Sequence, residues 1–200
     1  KHWERWLNMG EMIKMVVVLT ILSSLSGGVL AYVKEGTREQ IEMQVLQLVK
    51  GPAIKAIFKD ASNDPVADRF SIEEDGQKYD MFVAKVEGKE MVAFETFGKG
   101  YGGDIGLVVA FDVADDKIYG VGVTPLSETA GLGSKAKEDP KFAAQFAGVD
   151  AKGPIEVGNP INALSGATIT SRAVCSAATD AGDIYQKLKP QIQEQLKAFK

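Results

Sequence analysis

The 200-residue sequence is 45% hydrophobic and 25% charged, which allows one globular domain of ordinary size and an appendage. Its net charge of −4, with no basic patch carrying interleaved aromatics, argues against a nucleic-acid partner. The single cysteine, Cys175, excludes an internal disulfide and any iron–sulfur or cysteine-rich zinc site built by this chain alone. The single histidine, His2, leaves no histidine triad, metal cluster or general base.

Residues 15–33 (MVVVLTILSSLSGGVLAYV) form an uncharged, largely apolar run. At about 1.5 Å per residue it is long enough to cross a hydrocarbon core of roughly 30 Å. It reads as one transmembrane helix. The competing reading is a cleaved signal peptide, because Lys1, Arg5 and Lys14 precede the run and Ser26-Gly27-Gly28 lie within it, but the run exceeds a typical signal core. Ser23, Ser24, Ser26, Gly27 and Gly28 would let another membrane helix pack closely. Positive-inside counting, Lys1, Arg5 and Lys14 against Lys34 and Arg38, encodes orientation weakly and favours a cytoplasmic N-terminus by a small margin. Trp3 and Trp6 suit one interface and Tyr32 the other.

Thr37-Arg38-Glu39-Gln40 has the form of an N-cap and first turn, and Ile41, Val45, Leu48 and Val49 recur at helical spacing until Gly51-Pro52. From Arg69 the pattern changes to alternation, with strands expected at 79–86, 90–97, 106–112 and 117–124. Asp75-Gly76, Glu87-Gly88 and Asp115-Asp116 are the intervening turns. Turns this short make neighbouring strands antiparallel. The chain thus divides into an N-terminal segment, residues 1–36, and one α+β domain, residues 37–200, with an antiparallel sheet and flanking helices.

Three stretches carry chemistry-bearing residues. Gly98-Lys99-Gly100-Tyr101-Gly102-Gly103 lacks the spacing of a phosphate-binding loop and reads on residue types alone as a bend between strands. Thr124-Pro125-Leu126-Ser127-Glu128-Thr129-Ala130-Gly131-Leu132-Gly133 is either a glycine turn ahead of a helix start at Asp139-Pro140 or a ligand loop. In the latter case Glu128 and Thr129 supply polar contacts, Leu132 an apolar one, and Gly131 and Gly133 backbone access. Asn162-Ala163-Leu164-Ser165-Gly166-Ala167-Thr168-Ile169-Thr170-Ser171 joins an extended segment ending near Pro160 to a helical pattern starting near Arg172. Unpaired N–H groups at such a helix start attract a phosphate, and Gly166 and Ala167 let a ligand approach the backbone. Beyond it Val174, Ala177, Ala178, Ala181, Ile184, Tyr185 and Leu188 form a core stripe, with Cys175 a small core residue. Pro190 is expected to interrupt the helix before a last polar one carrying Ile192, Leu196 and Phe199.

Ser165-Gly166-Ala167-Thr168, followed by Thr170 and Ser171, resembles the flavin-attachment motif of the FMN-binding domain family, found in the G subunit of Rnf complexes and the C subunit of Na+-pumping NADH:quinone oxidoreductases. The glycine–tyrosine segment and the Glu128-Thr129-Ala130-Gly131-Leu132-Gly133 loop match that family in order, with Ala130 where proline is usual and Asn162 where aspartate is usual. The resemblance implies FMN joined through its phosphate to the Thr168 hydroxyl by a dedicated flavin transferase. The cofactor surroundings it implies are Ser165, Gly166, Ala167, Thr170, Ser171, Glu128, Thr129, Gly131, Leu132, Gly133, Tyr101 and Gly102. It further implies a single-pass inner-membrane protein in contact with lipid, its flavin domain outside the cytoplasm. That protein would relay electrons with other membrane and peripheral subunits of an ion-translocating NAD:ferredoxin oxidoreductase, without stand-alone activity. The alternatives are a quinone-reductase C subunit or another anchored extracytoplasmic flavin carrier, and a non-redox scaffold subunit with an unoccupied site.

Overall fold

The computed structural model describes residues 9–124 and 128–199. The readings made for Lys1, His2, Trp3, Arg5, Trp6, Pro125, Leu126 and Ser127 lie outside these residues. The chain divides into two compact units, Lys1–Gln44 and Val45–Lys200.

The first unit is built on helix α1 (Met9–Val45), which presents Leu19, Leu22, Leu25 and Leu30 without a covering layer. This is a helix long and apolar enough to cross a membrane. Thr37 does not start a new helix here. Its hydroxyl donates to the carbonyl of Val33 at 2.8 Å, the bond to the preceding turn that lets threonine sit inside a helix.

In the second unit a short π-helical turn (Leu46–Lys50) leads into α2 (Gly51–Ile57). Gly51-Pro52 therefore opens a helical piece rather than ending one. Gly51 donates its N–H to the carbonyl of Leu46, five residues back, and Pro52 follows this wide turn, where the α-helical ladder is already interrupted.

Five strands follow: β1 (Arg69–Glu74), β2 (Gln77–Val86), β3 (Lys89–Lys99), β4 (Asp104–Asp112) and β5 (Lys117–Val123). They form one antiparallel sheet in sequence order. Asp75-Gly76 and Glu87-Gly88 each make a two-residue turn with both residues at positive φ, the backbone twist that matches a right-handed hairpin. Helices α3 (Lys135–Glu138) and α4 (Pro140–Ala144) come next, the Asp139 carboxylate accepting the N–H of Lys141 at 2.9 Å to start α4. A two-strand parallel pair, β6 (Glu156–Val157) and β7 (Pro160–Ile161), precedes the long helix α5 (Thr168–Ala198).

Each face of the sheet carries its own core. Phe94, Leu107, Val109 and Phe111 pack against Val174, Ala177, Ala181, Tyr185 and Leu188 of α5. On the other face Phe82, Ala93, Val108 and Ala110 pack against Leu46, Ile54 and Phe58. Alternation along each strand delivers one residue set to each side. Cys175 lies on the buried face of α5, and burial pushes its thiol up to about 11.

Two expectations about α5 are corrected. It begins at Thr168, not near Arg172, because Ser171 already donates its N–H to the carbonyl of Ala167 at 3.0 Å. It also runs through Pro190, because Ile192 and Leu196 are buried beyond it and their packing outweighs the lost backbone bond.

Candidate functional site

The Ser165–Thr168 loop and the glycine loop meet in an open cleft of about 540 Å³, lined by Tyr101, Glu128, Thr129, Leu132, Gly133, Gly166, Ala167, Thr168, Ile169 and Thr170. Three separate segments build it: the β3–β4 turn, the segment after β5, and the start of α5.

Thr168 is the first residue of α5 and its side chain is exposed. The residue before it, Ala167, leaves the helical conformation, and among the described residues no side chain caps the first turn. Its free N–H groups therefore point toward whatever occupies the rim of the cleft, with the positive end of a 31-residue helix behind them. Gly166 adopts a φ of 77°, and its bare Cα lies against Leu132, so a side chain here would both strain the turn and press on that leucine.

Glu128 ties the three segments together. Its carboxylate accepts the Thr170 hydroxyl at 2.6 Å and the backbone N–H of Gly102 at 2.8 Å. Partial burial alone would push this carboxyl up. The Thr170 hydroxyl and the backbone N–H groups of Gly102 and Tyr101 outweigh it, and the group is held below its ordinary value. Glu128 is thus an anion at neutral pH whose acceptor capacity is largely committed to the protein.

The apolar wall comes from Tyr101, 75% exposed, and from Leu132 and Ile169. Exposed aromatic and aliphatic side chains around a concave surface suit a flat, partly apolar ligand. Gly131 donates its N–H to Ser134 Oγ at 2.9 Å, and the N–H groups of Leu132 and Ser134 both go to the carbonyl of Thr129 at 3.2 Å, so the glycine loop holds its own shape.

Of the residues singled out from sequence, Ser165 and Thr168 are exposed, and Ser165 lies outside the cleft lining. Ser171 lies beneath the loop. It is fully buried, its hydroxyl accepting from the N–H of Leu164 at 2.9 Å and donating to the carbonyl of Ala167 at 3.0 Å. Its part is to fold the loop back onto α5. Thr170 is also buried, at the floor of the cleft.

Sequence reasoning misses Gln145. Its amide oxygen accepts from the backbone N–H of Asn162 at 2.8 Å and from Asn162 Nδ2 at 3.1 Å, while its Nε2 donates to the Asn162 carbonyl at 3.4 Å. A glutamine at the end of one short helix thereby fixes the entrance of the Ser165–Thr168 loop. Only the 17-residue separation is visible in the sequence, and it carries no signal.

The FMN-binding domain family matches residues 100–183, a span that contains every cleft residue. The chain is 28% identical over 193 residues to the G subunit of the Na(+)-translocating ferredoxin:NAD(+) oxidoreductase complex of Acetobacterium woodii, covering 88% of this chain and 92% of that one. It is 31% identical over 173 residues to the G subunit of the proton-translocating ferredoxin:NAD(+) oxidoreductase complex of Clostridium ljungdahlii, covering 82% and 85%. The crystal structure of the C subunit of Na(+)-translocating NADH-quinone reductase from Parabacteroides distasonis shares the fold, with a TM-score of 0.52, 24% identity, and coverage of 61% of this chain and 77% of that one.

Proposed function

Because the chain belongs to the G-subunit family of ion-translocating oxidoreductase complexes, we propose that it is a membrane-anchored flavoprotein with FMN held on Thr168 through a phosphoester. In this reading α1 holds it in the membrane with the flavin domain outside the cytoplasm, and it passes electrons between neighbouring subunits of an ion-translocating ferredoxin:NAD oxidoreductase.

The observation that carries the reading is the position of Thr168. An exposed hydroxyl stands on the first residue of a helix whose first turn has no side-chain cap, on the rim of a cleft with apolar and polar walls. The donor set fits a phosphate-linked flavin. Thr168 would supply the ester oxygen to the phosphate, and the uncapped N–H groups of the first turn would balance the remaining phosphate charge. Tyr101, Leu132 and Ile169 offer contact area for the ring system, and Thr129 offers a polar edge. When bound, FMN supplies one- and two-electron chemistry.

The protein's own work is to hold and orient. Glu128 keeps the β3–β4 turn against α5, and its fixed negative charge beside the cleft disfavours added electron density there. The cleft stays open to solvent, which leaves one side for a partner to approach. Covalent attachment keeps a cofactor in an open site from washing out. A dedicated flavin transferase is the expected partner for maturation, and other membrane and peripheral subunits are the partners in turnover.

In-gel flavin fluorescence after denaturation tests the assignment. Co-expression with the matching transferase is expected to give a fluorescent band for the native chain and for Thr168→Ser, and none for Thr168→Ala. A band that persists in Thr168→Ala would move the attachment elsewhere. No band in any chain would favour the scaffold reading.

A further inference from the structure

We propose that the open edge of β5 is a docking site for an extended segment of a partner protein, apolar at alternate positions and acidic at its ends, which adds a strand to the five-stranded sheet. The groove along this edge shares no lining residue with the cleft that carries Thr168.

β5 is the last strand of the sheet and has a paired neighbour, β4, on one side only. The register decides which of its backbone groups are left over. Thr124 donates its N–H to the carbonyl of Gly106 at 2.9 Å, so these two form a hydrogen-bonded pair. Pairs of this kind alternate along an antiparallel ladder. Gly122 opposite Val108 is therefore bonded as well, and Val121 opposite Val109 is not. Val121 turns both its N–H and its C=O away from β4, and among the described residues neither finds a backbone partner on that side.

The chain already uses this edge once. Ile118 donates its N–H to the carbonyl of Val149 and Gly148 donates to the carbonyl of Ile118, both at 2.8 Å, while Ala151 donates to the carbonyl of Asp116 at 2.9 Å. The segment after α4 thus lies antiparallel along the start of β5. Beyond Ile118, the stretch from Tyr119 to Val123 is the floor of an open groove of about 500 Å³. At about 3.4 Å per residue it matches a strand of about five residues.

The walls leave room for a backbone. Ala53 and Ala56 of α2 form one side, and Ala143 and Ala144 of α4 with Ala147 beyond it form the other. The two walls stand on opposite faces of the sheet, since Ile54 belongs to one core and Phe142 to the other. An added strand at the usual spacing of about 4.8 Å points its side chains alternately to the two faces, so its apolar residues meet alanine on each. A helix or a compact ligand leaves the Val121 groups without partners, whereas an extended backbone pairs them.

Charge selects the ends of the guest. Lys59 and Lys137 line the groove and no acidic residue does. Neither lysine is in an ion pair among the described residues. Acidic residues flanking the apolar stretch complement them. A second copy of this chain, pairing through the same edge, brings two more lysines to the groove, like charge against like.

Titration of the full chain in detergent with the synthetic peptide Glu-Val-Thr-Val-Thr-Val-Glu tests the site, read by anisotropy of the labelled peptide and by amide hydrogen exchange. The peptide is expected to bind and to slow exchange at Val121 about tenfold, while β1 exchanges at its native rate. Lysine in place of both glutamates is expected to weaken binding about tenfold at low salt. A strand bonds along one edge only, so N-methylation of one alternating set of peptide amides should abolish binding and methylation of the other set should not. Ala56→Glu, at an exposed position of α2, places bulk and negative charge in the groove. It is expected to weaken binding about tenfold with the unfolding temperature unchanged. No binding at about 1 mM peptide would overturn the site. So would equal effects of the two N-methylated sets, native binding by Ala56→Glu, or protection spread evenly over the domain. Reversible self-association that protects Val121 without peptide would replace the partner by a second copy.

Discussion

Thr170 donates its hydroxyl to Glu128 at 2.6 Å, joining residues 42 apart in the chain across the floor of the cleft. The bond sets the ionisation of Glu128 together with the N–H groups of Gly102 and Tyr101. A carboxyl lowered in the folded chain contributes stability that is complete above its ordinary value near 4.5 and is lost as the pH falls through the lower folded value. The amide resonance of Gly102 should therefore titrate with a midpoint below 4.5. Thr170→Val should move that midpoint upward, and a midpoint that stays put would show that Thr170 does not govern Glu128.

Gly133 is where the glycine loop packs tightly against the same pair. A Cβ at this position would stand 2.7 Å from Glu128 Cβ and Oε2 and 2.9 Å from Thr170 Oγ1. Gly133→Ala is expected to displace Glu128, cost about 1–3 kcal/mol of stability in the manner of an overpacked site, and cut covalent flavin content by more than half. Chemical denaturation and the ratio of flavin to protein absorbance measure the two effects. Native flavin content would mean that the loop absorbs the methyl without moving Glu128.

Gln145 holds Asn162 through both its amide oxygen and its amide nitrogen. Gln145→Leu keeps the approximate size and removes every one of these bonds. Flavin attachment to Thr168 is expected to slow several-fold in this chain, while stability falls by only about 1 kcal/mol, as befits exposed bonds that water replaces. The time course of fluorescence after mixing with transferase and flavin donor gives the rate. An unchanged rate would leave the Asn162 contact without consequence for maturation.

Tyr185 stacks on Phe111 with ring centroids 4.4 Å apart and gives its hydroxyl to Asp116 at 3.0 Å. Burial, together with the hydrogen bond to Asp116, raises the phenol well above its ordinary value, so it stays protonated. Tyr185→Phe keeps the stack and loses the bond, at an expected cost of about 1 kcal/mol. Tyr185→Ala also opens a cavity, at an expected cost of about 3–5 kcal/mol. Urea unfolding of both variants separates the two contributions, and equal losses would assign nothing to the stack.

What can be read from the sequence follows the range of the interaction. The hairpins are legible because Asp75-Gly76 and Glu87-Gly88 carry their turn signal within two residues, and because each strand's alternation already sorts its side chains. The breaks expected at Gly51-Pro52 and Pro190 are local signals too, but distant packing of Ile54, Ile192 and Leu196 overrides them. In the cleft, the motifs mark Glu128 and Thr168 but not what each does. Ser171 and Thr168 are both hydroxyl residues of one motif, and only the fold sends the first inward and leaves the second exposed. The Gln145–Asn162 contact joins segments with no pattern in common, so nothing in the linear sequence could pair them.

The sheet is a meander whose strands pair in the order in which they occur, so each hairpin can close as soon as its second strand is available, at small entropic cost. The cleft cannot form this way. One wall follows β5 and the other opens α5, which must lie across the finished sheet before Glu128 can reach Thr170. The proposed place of flavin attachment therefore exists only once the β3–β4 turn, the segment after β5 and the start of α5 have come together. On the proposed function, a transferase that recognises the assembled cleft, rather than the bare run of small residues, would load flavin only onto chains that have already folded.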